Sequence, residues 1–217
     1  MNKIVYSLVK TKKELKEAAN LVCREYVKAG YIDISDLNSK KKILFYNHLP
    51  SSAIFTAKLH NKIIGTVSVI ADSKLGLPMD EIYKKELDKL RNQNKKIAEI
   101  SQLAADKETF LKKCNSEGQI KQMFLFLPLF KLVFHYSIYK KFNNLCIAVN
   151  PKHSSFYKYL LFKDIGKLKH YPSVNNAPAL AKTLYLDELE TRKIKNYIFN
   201  NIIDNAPDYK IFENKFR

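Results

Sequence analysis

The stretch GTVSVIADSKLGLPMDEIYKKELDKLRNQNKKIAEISQLAAD, Gly65 to Asp106, decides how the rest of the chain is read. It begins and ends as strand, because Val67, Val69 and Ile70, then Ile97 and Ile100, are β-branched residues in short runs. Between them LPMDEIYKKELDKLR carries Ile82, Leu87 and Leu90 among alternating charges, the pattern of a surface helix. Along the second strand a period of two puts Ile97, Glu99, Ser101 and Leu103 on one face and Ala98, Ile100, Gln102 and Ala104 on the other. Glu99 therefore shares an apolar face with a hydroxyl. An ionised carboxylate there costs several kcal/mol unless it is hydrogen-bonded or solvated, so Glu99 is either well satisfied or lines a cavity.

Working outward, 217 residues with 46% hydrophobic content are enough for one globular domain with a sizeable core. Gly and Pro are few, no repeat or linker divides the chain, and the longest apolar run, Met123 to Phe130, is far short of a membrane span. The N-terminus does not read as a secretory signal. Cys23, Cys114 and Cys146 are widely spaced and form no CxxC pair, which argues against a disulfide framework or a zinc site and for a reducing cytoplasm. The formal charge of +17 asks for an acidic partner or surface, or reflects general compositional bias. Arginine is confined to Arg24, Arg91, Arg192 and Arg217, a poor supply for reading bases or clamping phosphates, so nucleic acid is not the expected partner.

Upstream, Ile4 to Val9 reads as a strand and Thr11-Lys-Lys-Glu14 as a capping box. The helix it starts buries Leu15, Ala18, Ala19, Val22, Cys23, Tyr26 and Val27 and stops at Gly30. Residues 33–42 are polar and irregular, as in a flap, and Ala53 to Leu59 pairs with Lys62 to Ile70 through His60-Asn61. Downstream, Ser116 to Gln119 offers a second capping box before a helix over 120–142 that is apolar nearly all round and carries Pro128, hence kinked and buried. Its Met123, Phe124, Phe126, Leu127 and Phe130 line either a tunnel for a fatty chain or an ordinary core. Leu145 to Val149 suits a central strand, and Pro151 starts a short helix with His153 and Tyr157 on one face, placed to bind a thioester or protonate a thiolate, or else simply packed. Lys182 to Leu186 is a last strand, and residues 187–204 form a C-terminal helix.

The run DSKLGLPMDEIYKKELDKLR with AEISQLAAD, followed by VNPKHSSFYKYLLFKDIG and YPSVNNAPAL, resembles the bacterial long-chain N-acyl amino acid synthases of the N-acyltyrosine synthase type. These belong to the GNAT acyltransferase superfamily and are related to acyl-homoserine lactone synthases. The resemblance, from about Thr11 to Asp187, implies an α/β (α+β) fold: a single GNAT-like domain over 1–187, with a twisted mixed β-sheet and helices on both faces, and a helical extension of it over 188–217. It implies transfer of a long-chain fatty acyl group from a thioester to the α-amine of an amino acid. An ammonium cannot attack a thioester, so a base is needed, and Glu99 fits, with Ser101 orienting water or amine. It also makes Arg24 a candidate for the acceptor carboxylate, the alternative being a solvated helix charge. A backbone N–H near Leu103 or Ala104 is the expected donor to the thioester oxygen. Where relatives often carry Arg after the serine, this chain has Gln102, which puts a carboxylate contact there in doubt.

The donor is expected from a missing feature. GNAT enzymes that use coenzyme A hold its pyrophosphate on a glycine-rich loop, whereas AADKETFLKKCNSEGQIKQ has only Gly118. A phosphopantetheine arm on an acidic acyl carrier protein needs no such loop and suits Lys107, Lys112, Lys113 and Lys121 beside the expected entrance. The lipidic product suggests a peripheral membrane contact. Alternatives are an acyl-homoserine lactone synthase, disfavoured because the chain has no Trp, a coenzyme A-dependent acyltransferase, and a non-enzymatic basic binding module.

Overall fold

The computed structural model describes residues 4–33, 35, 37–114, 119–189, 200 and 204–213, and the side chains of these except 37–40 and 111–124. The chain opens with β1 (Val5–Leu8) and α1 (Lys12–Lys28), whose Thr11/Glu14 capping box is formed in both directions. α2 (Leu37–His48) follows, then β2 (Ala53–Leu59) and β3 (Lys62–Ala71). The two are joined by a tight turn in which His60 and Asn61 both have positive φ, the geometry that matches hairpin twist. α3 (Asp80–Arg91) leads to β4 (Ile97–Ala105), α4 (Lys107–Cys114) and α5 (Gln119–Tyr139). β5 (Asn144–Val149), a 3-10 turn at Pro151–His153, α6 (Ser154–Tyr159), β6 (Lys163–Asp164), β7 (Lys169–Tyr171) and β8 (Ala177–Tyr185) complete the domain.

The strands form one mixed sheet in the order β1-β2-β3-β4-β5-β8-β6, with β7 also paired to β8. β4 and β5 run parallel and the other pairs antiparallel. Alternation along β2 sends Ile54 to the face covered by α1 and Phe55 to the face covered by α5. α3 packs on the α1 side, over Ile70, Ile97 and Cys146. Helices on both faces bury the sheet as expected.

Several expectations need correcting. α2 occupies residues 37–48, where an irregular flap was expected to run to 42. α5 ends at Tyr139 rather than Phe142, and β8 begins at Ala177, five residues before the expected strand. The second capping box and most of the expected C-terminal helix lie outside the described residues. Beyond them a 3-10 turn at Tyr209–Phe212 returns to the core, where Phe212 packs edge-on against Phe55 and Tyr136. Among the described residues no helix is long and apolar enough to cross a membrane.

Candidate active site

The site arises where two parallel strands part. β4 and β5 are paired only from Ile97–Asn144 to Glu99–Cys146, and beyond that rung they diverge. A cavity of about 560 Å³ opens on the α1 and α3 side, lined by Glu99, Ser101 and Gln102 of β4 and by Ala148 and Asn150 at the end of β5. α2 supplies Lys41, Lys42, Phe45 and Tyr46, and the segment from Tyr171 to Ala179 closes the wall.

Glu99 is 3% exposed and pairs across the sheet with Ile70 and Cys146. Burial pushes its pKa from 4.5 up to about 8, although the Met79 amide and the Ser101 hydroxyl favour the charged form and Asp80 opposes it. The Met79 N–H donates to Oε2 at 2.8 Å. That amide is held by the turn before α3. Asp80 accepts from the Leu77 N–H at 2.6 Å, and Arg91 ties Asp72 and Asp80 together at 2.8 and 2.6 Å. Gly76 has φ +73, and a Cβ there would lie 2.6 Å from Asp80 Oδ2, so this turn needs glycine. Tyr171 braces the same turn from β7, its hydroxyl donating to the Pro78 carbonyl at 2.6 Å.

At Gln102 the expected alternation fails. Ser68 pairs with Ser101 and Thr66 with Ala104, so Val67 alone faces both Gln102 and Leu103, a β-bulge with Gln102 at φ +56. The extra residue inverts every face after it. Gln102 turns into the cavity beside Glu99 and Ser101, Leu103 turns to the α5 side, and Ala104 packs under α1. The Gln102 side chain is locked: its Oε1 accepts from Asn47 at 2.7 Å and Ser68 at 2.9 Å, and its Nε2 donates to the Ile43 carbonyl at 3.3 Å. The groups it hydrogen-bonds are all neutral, which suits an amide at this position. Tyr26 reaches the bulge from α1; burial raises its pKa, with Tyr31 and Glu99 adding to the rise and the Gln102 backbone N–H partly offsetting it.

Among the sequence candidates, the structure brings Glu99, Ser101 and Gln102 together and leaves others apart. Arg24 does not line the cavity; its side chain is 45% exposed and paired with Glu25 at 3.1 Å and Asp106 at 3.3 Å. His153 and Tyr157 differ in burial, and neither lines the cavity. His153 is exposed on the 3-10 turn, its pKa lowered by partial desolvation and by Lys152 and Lys107. Tyr157 is buried among Phe130, Phe156 and Phe162. Its pKa is raised by burial and then by Tyr26. Leu127 packs on the α5 side of the sheet, away from Glu99. Lys107 is exposed at the start of α4, while the side chains of Phe124, Lys112, Lys113 and Lys121 lie outside those described. The α2 contributions were missed because LNSKKKILFYNH has three adjacent lysines and no clean apolar stripe. The last resemblance segment, YPSVNNAPAL, does supply a wall of the cavity.

A family model described as N-acyl amino acid synthase FeeM matches residues 17–184. The chain belongs to the FeeM family of N-acyl amino acid synthases. The solved structure of FeeM, from uncultured soil microbes, is 34% identical and superposes with a TM-score of 0.76 over 89% of this chain and 96% of that one. The acyl-homoserine lactone synthase LasI matches with a TM-score of 0.55 at 13% identity, over 86% and 91% of the two chains. An agmatine N-acetyltransferase gives 0.60 at 14% identity, over 84% and 99%. The last two show a shared fold alone, the GNAT fold. No curated protein matches the sequence significantly. As a FeeM-family synthase the protein is an N-acyltransferase, with an acyl group and an amino acid as its substrates.

Proposed function

We propose that this FeeM-family synthase moves a long-chain fatty acyl group from an acyl carrier protein thioester to the α-amine of an amino acid. The observation that carries the reading is a nearly dry carboxyl, Glu99, with its pKa near 8, at the point where β4 and β5 part. A base of that pKa is well matched to an amine that is mostly protonated near neutral pH. An arriving ammonium favours the ionised carboxylate, which then takes its proton. The freed nitrogen lone pair attacks the thioester carbon. As the N–C bond forms and the C–S bond breaks, the phosphopantetheine sulfur leaves as thiolate and is protonated, and the nitrogen gives up its second proton, which replaces the one donated to the sulfur. Tyr157 is the proposed proton source, and the backbone N–H groups of the bulge at Gln102 are the proposed donors to the oxyanion.

The donor assignment rests on charge and on the chain between β4 and α5. Gly118 is the sole glycine from Ala104 to Gln122, a poor supply for a pyrophosphate cradle, and the whole chain carries +17. An acidic carrier protein offering only its phosphopantetheine arm suits both facts. The test is the lipid extract of cells overproducing the wild type or Glu99→Gln. A new N-acyl amino acid in the first and not in the second supports the reading; no such lipid in either removes it.

A further inference from the structure

Arg24 is neutralised by two carboxylates outside the cavity, so the carboxylate of the acceptor amino acid must find another cation. The residues that line the cavity include two, Lys41 and Lys42, both on α2. Neither makes an ion pair among the described residues. Arg91, the other described arginine, is committed to Asp72, Asp80 and Asp88. We infer that Lys42 binds the acceptor carboxylate, with its ammonium held in place by Ser173; this rests on the acyltransfer reading above and names how the acceptor is gripped.

Lys42 differs from Lys41 in being positioned. Its Nζ donates to Ser173 Oγ at 3.1 Å. The Ser173 hydroxyl and backbone N–H both donate to Glu81, the latter at 2.9 Å, so the serine oxygen is left free to accept from the lysine. One hydrogen of the ammonium is thereby fixed and two remain for a ligand. Lys42 on α2 and Ser173 after β7 stand on two walls of the cavity that has Glu99 on β4 as a third. A zwitterionic acceptor then has a partner at each end: its ammonium meets Glu99, which takes the proton, and its carboxylate meets Lys42. A ligand with an amine but no carboxylate satisfies one end alone.

The test compares L-tyrosine with L-tyrosinamide as acceptors, at saturating acyl carrier protein donor, in the wild type and in Lys42→Met, Lys42→Arg, Lys41→Met and Arg24→Ala. The aromatic lining, including Tyr26, Phe45 and Tyr46, makes these reasonable probes. Loss of a charge-assisted hydrogen bond should raise the KM for the acid in Lys42→Met by about 10- to 100-fold. The KM values for the amide and for the donor should stay near wild type, and Lys42→Arg should recover part of the loss. An equal change for acid and amide, no change for either, or an acid-specific loss in Lys41→Met or Arg24→Ala instead would overturn the assignment. If the wild type acylates neither amine, the reaction proposed above fails with this acceptor and donor, and this inference falls with it.

Discussion

Glu99 is the residue on which the chemistry turns. Glu99→Gln should fold and lose at least about 100-fold in turnover, the lower end for a positioned general base. In the wild type kcat/KM for the acceptor should rise with pH with its inflection near 8, as the carboxyl ionises in the free enzyme. Stability moves the other way. The folded-state pKa is raised above 4.5, so the stability contributed by the protonated carboxyl is full below that value and is lost as pH rises through about 8. Glu99→Gln has no such loss. Thermal melts should therefore show the variant gaining on the wild type between pH 5 and pH 9, and parallel curves would mean that Glu99 is not buried as a neutral acid. This residue was legible in the sequence, because one acidic side chain between β-branched neighbours is costly wherever the strand is covered. Arg24 was not, since nothing in the local pattern of α1 foretells that Asp106, eighty-two positions away, takes its charge.

The elements that set the site are the bulge in β4 and the turn before α3. Alternation was the right rule as far as Ser101 and failed one residue later, because a bulge leaves no periodic signal; only pairing with β3 reveals it. The turn gives a sharper experiment. Arg91 holds Asp72 and Asp80, and through Leu77 the turn that aims the Met79 amide at Glu99. Arg91→Ala should weaken that hydrogen bond, which favours the charged carboxylate, so the inflection in kcat/KM should move above 8. A rate loss with the inflection unmoved would make Arg91 a brace for α3 alone. The α2 helix was hidden for another reason: part of its surface faces the cavity, so the apolar stripe that marks a helix packed on a core is broken by Lys41 and Lys42.

At the scale of the molecule, the fold was legible because strand, capping box, hairpin and apolar helix each carry a local signal, and their order admits few mixed sheets. The return of the C-terminus was not, since YKIF has no periodicity of its own. Phe212 is 4% exposed among Phe55, Tyr136 and Tyr139, and Phe212→Ala should cost about 3–5 kcal/mol, a fall in melting temperature on the order of 10 °C. An unchanged melt would show that the aromatic cluster closes without it. The net charge of +17 makes a different prediction: reversing Lys112 and Lys113 to Glu should raise the KM for an acyl carrier protein donor and flatten its salt dependence, with the acceptor KM unaltered. The most direct measurement follows N-acyl amino acid formation by mass spectrometry when purified protein is mixed with an amino acid and either long-chain acyl carrier protein or the matching acyl-coenzyme A. The proposed mechanism predicts amide product from the carrier protein at much the higher kcat/KM, falling steeply as salt is raised and nearly abolished in Glu99→Gln. Equal and salt-insensitive use of acyl-coenzyme A, with Glu99→Gln as active as the wild type, would contradict it.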